Sequence, residues 1–453
     1  MSDDVNSITS GSIWANIWQM SWPMLLIMLF NFLVGFTDIY VAGLISADVQ
    51  AAIGFISQLY FLFIILGNAV SIGTVALVSR AIGARDRVRA SEYAKQSLIF
   101  GIFVSVGLML VGLGFSAKIV KFAGFPPELH DIARTFLIIY AIALIPNYVL
   151  IISNGIFRAS AEVKKPLVTM FIFSLVNIIG DFALVFGYGP FPRLGYPGIA
   201  YATAVSVSIS MTINVMFLFF SDWKMIFSGI WKPMFRKLRL IVHFGWPAGL
   251  LQVAWNAGSI VLYNILSRLG EESITAIAAI TNGLRIEAII FMPAFAMHMA
   301  ASVLIGQNLG TKNPQRASQL GWKIAVSAML VLSIISTVVF IWAEFFASLL
   351  AQDAAVLEET ARYLRINMFS EPFMALSLVL SGALQGAGDT RGNMWVIIIC
   401  MWFIRLPLAG VLAFIVGLGA SGVWIAMVIS MMIQGLLMSF RFARGKWKEI
   451  QIE

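Results

Sequence analysis

Four carboxylates, Asp38, Asp181, Glu287 and Glu371, lie inside long apolar stretches of this 453-residue chain. An ionisable group at the centre of a bilayer costs ~2.5–3.5 kcal/mol on insertion scales, so those a chain keeps mark ion or substrate paths or are paired. Two carboxylates in a poorly solvated cavity cannot both ionise cheaply. They titrate as a coupled unit and can take up a proton, or both stay ionised and hold a hard cation such as Na⁺ with other oxygen ligands. Asp38 and Asp181 occupy equivalent parts of the N-terminal half at similar depth, and no Lys or Arg falls inside the apolar segments of that half. We read them as the coupling site of a secondary transporter. In the C-terminal half, Arg285 and Glu287 share one apolar segment, and Glu371 and Arg405 lie in two later ones. Acids and bases are equal in number there, so the favoured reading is an ion-pair network bracing the lobe. The alternative is a second coupling or substrate site, where a carboxylate meets a cationic compound. The lone His298 reads as a hydrogen-bonded packing residue.

The elements that position these groups are transmembrane helices. The composition is 60% hydrophobic and only 11% charged, against roughly 25% charged in soluble domains. Runs such as 98–115 and 395–416 are long enough to cross a bilayer. The expected fold is all-α, with twelve apolar segments. The polar N-terminus lacks the basic region and cleavage site of a secretory signal, and Cys400 is the only cysteine, so no internal disulfide forms. The net charge of +8 does not point to nucleic acid, because the basic residues are not pooled in one soluble domain. They follow topology. Loops on one side, with the C-terminal tail, hold 21 Lys and Arg, and the opposite loops hold six. This bias places both termini in the cytoplasm.

The chain repeats itself. Ser21-Trp22-Pro23 opens the first segment and Gly245-Trp246-Pro247 the seventh. Residues 80–86, ending the second segment, recur as 307–313 ending the eighth, and 155–162 ending the fourth recur as 382–389 ending the tenth. The domains are therefore an N-terminal tail 1–13, a six-helix half 14–220, a basic linker 221–240, a second six-helix half 241–442 and a tail 443–453. The halves are parallel repeats about the membrane normal, and rocking of one against the other gives alternating access. The linker mixes aromatic residues with Lys224, Lys232, Arg236, Lys237 and Arg239. It suits the headgroups of anionic lipid, or equally an ordinary basic loop. Pro23 is expected to bend the first helix by removing a backbone hydrogen bond, unless it lies in the first turn, where proline is tolerated.

These signatures resemble the MATE (multidrug and toxic compound extrusion) family. The elements are Pro23 followed by Thr37-Asp38-Ile39-Tyr40-Val41, the run 80–86, Gly386-Ala387-Gly388-Asp389-Thr390 and Arg405-Leu406-Pro407-Leu408. The resemblance implies export of amphipathic, often cationic, small molecules in exchange for inward Na⁺ or H⁺, with no other cofactor. The segment 250–257 has no acid, unlike the NorM-like branch, so the chain looks closer to the DinF-like branch. Carried over residue by residue, that branch's cation site implies Asp38, Asn177, Asp181 and Thr203 as ligands, binding Na⁺ if sodium is the coupling ion.

Depth is consistent with that set. At 1.5 Å per residue, Asp38, Asp181 and Thr203 each fall roughly 9–10 Å below the outer surface, and Asn177 lies one turn from Asp181 on the same face. The expected protein is a monomeric antiporter of the plasma (inner) membrane, in contact with membrane lipids. A lipid-linked-precursor flippase and a passive channel are the rivals. A membrane enzyme is disfavoured, because the sequence holds no HExxH, no phosphate loop and no nucleophile elbow. On this topology, a fluorescent protein fused to the C-terminus fluoresces and alkaline phosphatase fused there is inactive. The opposite pair of results reverses the orientation.

Overall fold

The computed structural model describes residues 9–124 and 126–451. The first eight residues of the expected tail 1–13, and the last two of the tail 443–453, lie outside the described residues. Among the described residues there is no strand. The first six long helices are α1 (Ile13–Ile45), α2 (Ala47–Gly83), α3 (Arg87–Phe122), α4 (His130–Ala159), α5 (Lys164–Phe186) and α6 (Pro197–Phe219). There follow α7 (Phe235–Ser267), α8 (Ser273–Ile290), α9 (Met292–Gly310), α10 (Pro314–Ile341), the short α11 (Ala343–Ser348), α12 (Ala354–Asn367) and α13 (Glu371–Ala387). The next span begins as α14 (Thr390–Ile398) and α15 (Leu406–Gly410), interleaved with π-helical stretches Ile399–Arg405 and Val411–Ile415, and α16 (Gly419–Ala443) closes the fold. Eleven helices among the described residues are long and apolar enough to cross a membrane, or twelve when α12 and α13, bent by 58°, count as one span.

Two spans differ from the apolar segments read in the sequence. The eighth segment, 274–306, is two helices, broken at Phe291 two residues ahead of Pro293. The tenth starts at Ala354 rather than 363 and breaks before Glu371-Pro372. Proline cannot donate to the preceding turn and is tolerated at a helix start, which fixes both breaks. Helix α12 carries Glu358, Glu359, Arg362 and Arg365 along its length, so apolar character alone does not reveal it. Helices α2 and α4 likewise run past their apolar cores, which places Arg80 and Arg158 inside helical last turns.

The chain forms two compact units. The first is Leu26–Gly249; the second combines residues 9–25 with 250–451. Helices α1 and α7 therefore each pass from one unit to the other two residues after their interior prolines, Pro23 and Pro247. Pro23 lies ten residues into α1, outside the first turn, so the Gln19 carbonyl has lost its usual donor.

The repeat read in the sequence is also a repeat of backbone and packing. Arg85 and Lys312 both adopt left-handed conformations, with φ of 59° and 58°, as do Ala161 and Gly388. Asp86 accepts from the Arg89 amide at 2.9 Å, and Asn313 from the Arg316 amide at 3.0 Å, so both copies start the next helix with a side-chain cap. Gly155 sits against Ser71 in the first unit, and Gly382 against His298 in the second. Each repeat ends on a 3-10 turn that buries a tryptophan, Trp223 and Trp447. The linker is strapped to α3: the Gln96 amide donates to the Lys232 carbonyl and accepts from the Met234 amide, both at 2.8 Å, and Lys237 pairs with Glu92.

The crossing of α9 and α13 depends on absent side chains, because a Cβ on Gly386 would collide with the Ser302 carbonyl. Gly386→Val should destabilise the second unit by about 1–3 kcal/mol, the usual range for overpacking. Gly107→Ala, in open space within α3, should not lower the melting temperature, because Ala is the better helix former.

Candidate cation-coupling site

Within the first unit, three helices bring the expected ligands together at one level. Asp38 comes from α1, Asn177 and Asp181 from successive turns of α5, and Thr203 from the first half of α6. Asp181 and Asn177 are fully buried, Thr203 is nearly so, and Asp38 is half-buried. The Asp38 carboxyl lies against that of Asp181 and against the Asn177 amide. Asn177 Nδ2 donates to Thr203 Oγ1 at 3.2 Å, and Thr203 Oγ1 donates in turn to the Ile199 carbonyl. That chain fixes the Asn177 amide with its oxygen left over. The outcome is four buried acceptors without a hydrogen-bond donor: Asp38 Oδ1, Asn177 Oδ1 and both oxygens of Asp181.

Two residues that sequence reasoning passed over complete the surroundings. The Tyr140 hydroxyl, on α4, lies against Thr203 and faces Asp38 and Asp181. Its ring packs 4.7 Å from that of Tyr60 on α2, whose hydroxyl accepts from Asn147 Nδ2 at 3.1 Å. The signal available was a tyrosine inside an apolar run of each helix, which alone reads as packing. On the side towards the α1–α2 loop, Val41, Ala42, Ile53, Ile56, Phe136 and Ile199 form an apolar layer one turn beyond the site. The apolar layer offers no polar group on that side, which raises the cost of leaving the carboxylates uncompensated.

The arrangement fits either proposed occupant. Four all-oxygen acceptors at contact suit a hard cation, and two touching carboxyls suit one shared proton. Among the described residues no ion pair reaches Asp38 or Asp181.

In the second unit, Glu287, Glu371 and Arg405 gather around Tyr363. Glu287 faces the Tyr363 hydroxyl and lies near Arg405, and Glu371 faces Glu287. The Arg405 Nε donates to Ser430 Oγ at 2.8 Å, and the guanidinium sits 5.2 Å over the Trp255 ring. Arg285 does not join them. It is exposed, because two residues along α8 from Glu287 turn it to another face. The cluster thus counts two carboxylates to one guanidinium, and no direct ion pair links them among the described residues. Both acids sit at helix breaks, Glu287 just before Phe291 and Glu371 as the first residue of α13. His298 is held as a packing residue would be, with Nδ1 2.7 Å from the Leu378 carbonyl and its ring stacked on Phe295.

A twelve-span helical bundle in two pseudo-symmetric units, with paired carboxylates inside one of them, is the build of a secondary membrane transporter. The MatE family model matches residues 23–183 and 247–411, and the chain belongs to the MATE family. It is 25% identical to a probable multidrug resistance protein NorM of Thermotoga maritima, covering 92% of this chain and 89% of the relative. It is 22% identical to an uncharacterized transporter, YisQ, of Bacillus subtilis, over 95% and 94% of the two chains. The fold matches the Vibrio cholerae MATE transporter VcmN, solved as a point mutant, with a TM-score of 0.88 at 22% identity, covering 97% of this chain and 98% of that one.

If Arg405 braces the second unit through Glu287, the two act as one. Arg405→Met and Glu287→Gln should each lower the melting temperature, and the double variant should lose less than their sum, by about 0.5–3 kcal/mol. Strict additivity would show that the two do not interact.

Proposed function

We propose that this protein is a multidrug efflux antiporter of the plasma membrane, with both termini in the cytoplasm. It exports amphipathic, cationic compounds against inward Na⁺ or H⁺ and acts as a monomer. The observation that carries this reading is the set of four donorless oxygens shared by Asp38, Asn177 and Asp181. Buried acceptors and unpaired charges are costly unless something compensates them, and here no residue does. A proton or a cation fills that role, and its arrival and departure change the site's charge by one. The named function of the NorM relative supports the same reading.

The chemistry follows from the residues. With both carboxylates ionised, Asp38 and Asp181 repel at contact and tend to draw α1 and α5 apart. A bound cation or shared proton removes the repulsion and lets them close. Asn177 and Thr203 orient the oxygens through their mutual hydrogen bond. Because α1 enters the other unit beyond Leu25, movement of α1 at Asp38 is carried along the same helix past Pro23.

A second reading is favoured by one observation. The cluster around Tyr363 holds one carboxylate more than its single guanidinium neutralises, and both acids lie at broken helices, the feature that marks ion sites in transporters. Glu287 and Glu371 would then form a second coupling site with Tyr363.

Asp38→Asn and Asp181→Asn should each abolish drug resistance in a pump-deficient host while the protein is made and folded normally. Each removes one charge with almost no change of shape. Unimpaired resistance in both variants would refute the assignment.

A further inference from the structure

Two arginines in the first unit have, among the described residues, no partner acid, and no role beyond their share in the basic bias of one membrane side. Arg158 lies in the last turn of α4 and Arg80 in the last turn of α2, both at the end of the unit opposite Asp38 and Asp181. Each is half-buried. Arg158 Nη2 donates to Ser71 Oγ at 3.3 Å, but its Nε is buried with no partner, as is Nη1 of Arg80. A guanidinium nitrogen shut off from water ordinarily has an acceptor, most often a carboxylate. The acids at this end are engaged elsewhere. Asp86 caps α3 through Arg89, Glu92 pairs with Lys237, Asp222 with Arg87, and Glu162 takes Lys165 and the Trp223 indole.

The internal repeat shows that the fold does not require this charge. The position of Arg80 is occupied in the second unit by Gln307, and that of Arg158 by Gln385. Both glutamines are buried in otherwise matching helix ends. The Gln385 amide donates to Ser381 within its own helix. A neutral amide thus serves the same packing positions, and the two cations are specific to the first unit.

We propose that Arg158 and Arg80 receive an oxyanion, the carboxylate of a zwitterionic or anionic compound awaiting export. This deepens the efflux reading and rests on it: the carboxylate pair would serve the coupling ion or a cationic moiety, and the arginines a compound's negative end. Guanidinium suits the role because its fixed fork of donors matches a carboxylate, and charge-assisted bonds of this kind are the strong ones.

The test uses tetramethylrhodamine methyl ester and its free acid, which differ only in the carboxylate. Binding to the purified full-length protein is read by fluorescence anisotropy, and export is read in proteoliposomes of neutral lipid and of lipid containing phosphatidylglycerol. Arg158→Gln and Arg80→Gln install the residues that the other unit tolerates. The free acid should bind each variant about tenfold more weakly, the effect of losing a charge-assisted hydrogen bond, while the ester binds as before. Equal weakening for both dyes, or no weakening for the acid, overturns the proposal. So does a loss confined to phosphatidylglycerol vesicles, which would make lipid phosphate the ligand. Failure of the wild type to export the ester would instead count against the efflux reading, and the binding measurement separates the two.

Discussion

The structure turns on a charge that the protein does not neutralise by itself. Asp38 and Asp181 touch inside a helix bundle, with an apolar layer one turn away and, among the described residues, no cationic side chain paired to them. In a low-dielectric interior, such a pair is tolerable only when a proton or cation joins it. Other features of the first unit follow from holding that pair. The Asn177–Thr203 hydrogen bond orients the remaining oxygens, Tyr140 and Tyr60 pack the neighbouring faces, and α1, which supplies Asp38, belongs to the other unit only before Leu26. On the proposed function the site responds to the concentration of an exchangeable ion, which a site neutralised by a lysine would not.

Two copies of one backbone plan carry different chemistry. The left-handed turn residues, the side-chain caps, the terminal buried tryptophans and the glycine contacts recur from one unit to the other. Within that shared frame, the first unit places carboxylates near one end and unpaired arginines near the other. The second places two glutamates at helix breaks beside a single guanidinium. Conserving the frame while varying the charges lets each unit be read as a control for the other. A position that is glutamine in one copy and arginine in the other is not cationic for the sake of packing.

Much of this was legible in the sequence, because membrane helices announce themselves by length and apolar content, and charges within them stand out. Asp38 and Asp181 were visible for that reason, and the repeats gave the two-unit plan. Asn177 and Thr203 became visible through the family resemblance, since an amide or hydroxyl in an apolar run carries little signal alone. Helix ends were harder to place. Arg80 and Arg158 read as loop residues because apolar runs stop before helices do, and the polar first half of the tenth span was hidden by its own charges. The equality of acids and bases in the second half was arithmetic without geometry. A two-residue offset along α8 is enough to take Arg285 out of the interior.

The central claim is that the Asp38–Asp181 pair exchanges an ion for a compound moving outward. The most direct measurement is dye export from proteoliposomes in which a Na⁺ gradient and a pH gradient are imposed separately. The account predicts uphill export by the wild type under at least one of them, with reciprocal movement of that ion, and neither in Asp181→Asn. Export that follows only the dye's own gradient, under either ion gradient and equally in the variant, would contradict it.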